Sequence, residues 1–191
     1  IYLRTMKYKI ILSSNSPRRK ELLAGLDLDY EVRVMDGIDE SYPCNLLASE
    51  IPVYISKKKA AAYTIAEGEL VLTADTVVVL GDEVLGKPKD ETDAKRMLRE
   101  LSGKTHQVIT GVCLTTTNKQ QAFAVTTDVT FKILTDEEID YYVTQYKPLD
   151  KAGAYGIQEW IGYIGVTSLN GSYFNVMGLP VQRIYEALNN F

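Results

Sequence analysis

The turn Ser13-Ser14-Asn15-Ser16-Pro17-Arg18-Arg19 gathers residue types that bind anions. Ser16 suits an N-cap and Pro17 the first helical position, so a helix is expected to start there. Arg18 and Arg19 then fall in its first turn, where the helix dipole disfavours cations. An anion seated at that helix end reconciles the two: backbone N–H groups, hydroxyls such as that of Ser14, and guanidinium forks together make a phosphate cradle. The alternative is a pair of arginines running out to solvent. Gly103-Lys104-Thr105 looks like the tail of a P-loop, but Leu98 stands where the first glycine is needed and a helical pattern precedes it, so it reads as a helix stop.

Asp75 and Thr76 interrupt a run otherwise built from Leu, Val and Ala. A buried aspartate costs several kcal/mol unless it is paired or metal-bound, so it is either a functional acid or a structural one bonded to backbone at a bulge. Glu40 in Gly37-Ile38-Asp39-Glu40, taken alone, is a solvated loop charge. Lys57, Lys58 and Lys59 make a solvated helix face by default. Lys87, in Leu85-Gly86-Lys87-Pro88, is a point-charge phosphate ligand or simply exposed. In Gly153-Ala154-Tyr155-Gly156-Ile157-Gln158 the glycines permit close backbone approach to a ligand and the Gln158 amide can read a base edge; an ordinary turn is the plain alternative.

These residues need elements to hold them. Lys7 to Ser13 is a short apolar run suited to a buried strand, and Pro17 to Leu26 switches to helical spacing with Leu22, Leu23 and Leu26 on one face. Tyr30 to Met35 alternates as a strand, and Leu46 to Ala66 is mostly helical with Pro52 near its first turn. Leu70 to Leu80 is the strongest strand signal, turning at Gly81-Asp82 into Glu83 to Leu85. Asp90 and Asp93 open a helix to Leu101 that Gly103 can close. Gln107 to Thr116 and Ala122 to Leu134 form a second hairpin about Asn118-Lys119, and Thr135 with Glu138 is a capping box for a helix to Tyr146. A strand is expected over Ile161 to Thr167, a turn at Asn170-Gly171-Ser172, and a closing helix from Leu179 to Leu188. Mixed order with hairpins points to α/β with a mixed sheet.

At 191 residues, 46% hydrophobic and 24% charged, the chain can bury one substantial core, and a single domain over 6–191 is expected. Ile1 to Thr5 precede Met6 and are set aside as an upstream or cloning remnant. No stretch reaches the ~20 apolar residues of a membrane span, and the start lacks a secretory pattern, so a cytoplasmic protein is expected. Cys44 and Cys113 lie far apart and His106 is the one histidine, which argues against a disulfide framework or a Cys/His zinc site. The net charge of −4 argues against duplex nucleic acid as a partner, so any polyanion must be gripped by local positive charge.

In order, SSNSPRRKELL, GIDE, KKKAAAY, TADTVV, EVLGKPKD, LSGKTHQVITGV, DVTF, DKAGAYGIQ and NGSYFNVMGLP resemble the Maf family of nucleotide pyrophosphatases, from Lys7 to Phe191. The resemblance implies a mixed twisted sheet flanked by helices in two lobes around a nucleotide cleft, like inosine triphosphate pyrophosphatase. It implies phosphate contacts from Ser14, Arg18 and Arg19, with Asp75 as catalytic base or metal-anchoring acid. Glu40, Lys59 and Lys87 become supporting catalytic residues, Lys59 rather than Lys57 or Lys58 because it directly precedes alanine. Mg²⁺ or Mn²⁺ held partly by Glu40 and Asp75, and a homodimer, are also implied. Arg18, Thr76 and Gln158 match the branch that prefers dTTP and UTP over the branch acting on 7-methyl-GTP. Removal of modified pyrimidine nucleotides and a non-catalytic, nucleotide-sensing role in cell division are the other functions compatible with the motifs. Asn15 departs from the family's usual glycine or alanine, a change a tight turn accommodates.

Overall fold

The computed structural model describes residues 7–191. The expectations for Ile1 to Thr5 and for a start at Met6 lie outside the described residues. Among the described residues seven strands form one mixed sheet of order β2-β1-β3-β5-β6-β7, with β4 on β3. The strands are β1 (Lys9–Leu12), β2 (Tyr30–Val32), β3 (Glu69–Leu80), β4 (Glu83–Leu85), β5 (Thr105–Thr115), β6 (Gln120–Phe131) and β7 (Val166–Asn170). The helices are α1 (Pro17–Ala24), α2 (Ile51–Ala61), α3 (Glu91–Leu101), α4 (Asp136–Tyr146), α5 (Trp160–Gly165), α6 (Tyr173–Met177) and α7 (Val181–Asn189). The chain divides into two compact units, one holding the residues up to Asp75 with Gly111–Ala124 and Val181–Phe191, the other Thr76–Thr110 and Val125–Pro180.

In the first unit β1 pairs in parallel with both β2 and β3, placing Ile10 opposite Tyr30 and Leu70. Ile10, Ile11 and Leu12 are fully buried, as a strand flanked on both sides requires. Helix α2 lies tightly on the sheet at Gly111, where a Cβ would stand 2.3 Å from the Pro52 carbonyl carbon. Ser56 secures that contact, donating its hydroxyl to the Pro52 carbonyl at 2.7 Å and to the Gly111 carbonyl at 3.0 Å, while Thr73 Oγ1 donates to Ser56 O at 2.7 Å.

In the second unit β4 turns back antiparallel on β3 and β7 runs antiparallel to β6. Helix α3 is N-capped by Asp90, helix α4 starts with the full Thr135/Glu138 capping box, and Gly103 takes a φ of +70° after α3. The core gathers Leu98, Leu101, Phe131, Ile139, Tyr142 and Ile161.

The strand expected over Ile161 to Thr167 is mostly helix. Residues 160–165 form α5, and the strand begins only at Val166. A short apolar run fits a buried helix or a strand equally by periodicity, and here Ile161 and Gly165, four apart, are the buried pair. Gly162 is the local reason: a Cβ there would meet the Ile157 carbonyl oxygen at 1.7 Å, an approach only glycine allows. Helix α2 also starts later than expected, at Ile51, after turns that span 44–50.

Candidate active site

Helix α1 opens as its residues dictate. Ser14 Oγ accepts the Ser16 N–H at 3.1 Å, Ser16 Oγ accepts the Arg19 N–H at 3.4 Å, and no acidic side chain occupies the first turn. Arg18 and Arg19 are both half-buried there, beside buried Ser14. Arg19 does not run out to solvent: its guanidinium donates to the Ala74 carbonyl at 3.0 Å. Burial draws its pKa down and Asp75 opposes this, with smaller effects of opposite sign from Arg18 and Glu40. A guanidinium stays protonated through all of these.

Ala74 precedes Asp75 in β3, and its carbonyl also accepts from Lys59 Nζ at 3.3 Å. The Lys59 ammonium reaches Asp75 Oδ1 at 3.0 Å and Glu40 Oε1 at 3.1 Å. Lys59 and Asp75 keep only 13% and 14% of their side-chain surface exposed, whereas Glu40 keeps 50%. This is a paired charge in a largely dry setting with its third member at the rim. Burial pushes the Asp75 carboxyl above the ordinary carboxylate range, and Lys59 and Arg19 offset this only in part. Arg19, Glu40, Lys59 and Asp75, 56 positions apart at the extremes, thus share one cluster within the first unit.

Thr76, Lys87 and Gln158 belong to the second unit. Thr76 Oγ1 lies 2.9 Å from Thr110 Oγ1, and Thr110 Oγ1 donates to the Asn175 carbonyl at 3.2 Å. Fully buried Asn175 spreads its amide over the Val108 and Val125 carbonyls and Thr127 Oγ1. Lys87 is exposed after β4, where the preceding Gly86 carbonyl accepts the Gly153 N–H at 3.1 Å. Gln158 is half-buried, but its Oε1 is buried without a hydrogen-bond partner. The segment leading to it is pinned by Tyr142, whose hydroxyl accepts the Gly156 N–H at 3.0 Å and donates to Glu159 Oε1 at 3.0 Å.

The supporting residues Ser56, Thr110, Tyr142 and Asn175 escape sequence reading. Their long-range partners lie 14 to 67 positions away, and none sits in a pattern that marks chemistry.

The family model described as Maf-like protein matches residues 9–191. A dTTP/UTP pyrophosphatase of Phocaeicola vulgatus is 65% identical over 95% of each chain. One of Bacteroides thetaiotaomicron is 60% identical, again over 95% of each. A solved nucleoside-triphosphatase, dITP/XTP pyrophosphatase, of Mycobacterium abscessus aligns over 95% of this chain and 94% of its own at 12% identity with a TM-score of 0.48, too distant a likeness to bear on function.

Proposed function

The chain belongs to the Maf-like protein family, and on that premise we propose that it is a pyrophosphatase that hydrolyses dTTP and UTP to the monophosphate and pyrophosphate. The observation that carries this is Asp75: a nearly buried carboxylate with a raised pKa, beside a lysine and a helix start that carries two arginines and no acid. Such a carboxylate suits a general base, because its proton affinity is lifted toward working pH. Relatives 60–65% identical along almost their whole length bear the name dTTP/UTP pyrophosphatase, which supports the substrate.

In this mechanism Ser14, Arg18 and Arg19 hold the phosphates at the α1 N-terminus. Asp75 takes a proton from the water that attacks the α-phosphorus. The bond from that phosphorus to the bridging oxygen breaks, and pyrophosphate leaves with the electron pair. Lys59 and Lys87 stabilise charge on the transferred and leaving groups. Gln158 supplies the base selectivity together with Thr76. Its orphaned Oε1 is an acceptor that asks for a ligand donor, and the ring N3–H of uracil or thymine is one, whereas N3 of cytosine is itself an acceptor.

The residues fit a hard divalent cation. Oxygens of Glu40 and Asp75 both lie within 3.1 Å of one ammonium, so the two carboxylates already flank a positive charge. Among the described residues no group of three or more His, Cys, Asp or Glu side chains is placed to hold a metal. Mg²⁺ or Mn²⁺ needs no more than one or two carboxylates when substrate phosphates and water complete its shell. Bound there, such an ion supplies neutralisation of the phosphates and acidity to a coordinated water. We extend the proposal to residues 6–191 acting as one domain, in the cytoplasm and as a homodimer, in line with the motif resemblance.

A panel of nucleoside triphosphates, including methylated bases, assayed with Mg²⁺ or Mn²⁺ tests the proposal. We expect pyrophosphate release fastest from dTTP and UTP; equal rates for purine triphosphates would contradict the assigned selectivity.

A further inference from the structure

The three consecutive lysines of α2 end in different places. Lys57 is exposed, and Lys59 is the ammonium on Asp75. Lys58 makes three contacts with one short segment: Asp39 Oδ2 at 2.6 Å, the Ser41 carbonyl at 3.0 Å and Ser41 Oγ at 3.2 Å. That segment is also closed on itself. Asp39 Oδ1 accepts the Ser41 N–H at 2.9 Å and Oδ2 accepts the Ser41 hydroxyl at 2.7 Å.

The residue enclosed between Asp39 and Ser41 is Glu40. Its carboxylate meets Lys59, the next residue of the same helix. Residues 36–43 have no helix or strand of their own to hold Glu40 there. The Lys58 ammonium and the Asp39 carboxylate tie both sides of Glu40 to α2. We propose that Lys58 is a positioning residue, clamping the Asp39–Ser41 turn so that the Glu40 carboxylate is held at the Lys59–Asp75 pair.

Lys58 and Asp39 keep 31% and 68% of their side-chain surface exposed. Exposed pairs add little to global stability. What the clamp changes is the fraction of time Glu40 spends in place, and misplacement of a site group lowers turnover steeply. The inference rests on Glu40 acting in the site as proposed above.

The test compares Lys58→Gln, Lys58→Arg, Glu40→Gln and the Lys58→Gln/Glu40→Gln pair, measuring kcat and KM for dTTP across a Mn²⁺ series, with thermal melts alongside. We expect Lys58→Gln to lose about tenfold in kcat/KM with its melting temperature unchanged. Lys58→Arg should recover most of that loss, and Lys58→Gln should cost nothing more once Glu40 is already Gln. Full activity of Lys58→Gln beside a damaged Glu40→Gln overturns the clamp alone, as do losses that multiply in the double variant. Full activity of Glu40→Gln removes Glu40 from the chemistry, and the clamp falls with it.

Discussion

Asp75 sits at the one acidic position of β3 past its first residue, and its surroundings pull its proton affinity in two directions. Burial raises the pKa, while Lys59 and then Arg19 lower it, with burial the larger. A base must be unprotonated to act, so the acid limb of kcat/KM against pH should lie above the ordinary carboxylate value. Replacing Asp75 by Asn keeps size and polarity but removes the base. We expect turnover to fall roughly 10²- to 10⁴-fold while nucleotide affinity changes only severalfold. Steady-state kinetics over pH with nucleotide titration of the variant checks both, and undiminished turnover would remove Asp75 from the chemistry. Asp75 was legible in the sequence because a charge inside an apolar strand has to be accounted for. Lys58 was not, because a lysine on a helix end reads as solvated until the loop it grips is seen.

At the scale of elements, the helix starts with a side-chain cap were the best-marked features. Ser16, Asp90 and Thr135 with Glu138 all cap as their side chains dictate, because capping acts over three residues. The α5 segment was misread since its helix depends on the Gly162 approach to Ile157, a contact that no periodicity carries. Helix α2 delivers Lys59, and its seat depends on Gly111 and Ser56. Gly111→Ala would drive a methyl into the Pro52 backbone, so α2 must lift. We expect about 1–3 kcal/mol lost in urea unfolding together with reduced kcat, since Lys59 moves with the helix. A Gly111→Ala protein with unchanged stability and activity would show that α2 is not seated as described.

At the scale of the whole molecule, the division into two units was implied by motif resemblance and could not be derived from pattern, because each unit recruits chain segments that are distant in sequence. The second unit contains an acid-sensitive point. His106 is buried against Phe131 and Tyr155, its Nε2 lies 2.6 Å from the Tyr155 hydroxyl, and its Nδ1 has no partner. Burial lowers its pKa to about 4, whereas an unfolded histidine titrates near 6.5. The unfolded chain therefore binds the proton first, so this contribution to stability is complete above about pH 6.5 and is lost as pH falls toward 4. The full effect is on the order of 3 kcal/mol. His106 is the chain's one histidine, so urea midpoints at pH 7.5 and 5, compared between the parent protein and His106→Leu, isolate its contribution. We expect a clear drop in the parent protein and a flatter response in His106→Leu.

The central claim is hydrolysis at the α-phosphorus, and the position of solvent oxygen in the products decides it. With dTTP turned over in oxygen-18 water in the presence of Mg²⁺, we expect the label in the dTMP phosphate and none in pyrophosphate. Label in pyrophosphate, or release of orthophosphate with dTDP, would contradict it.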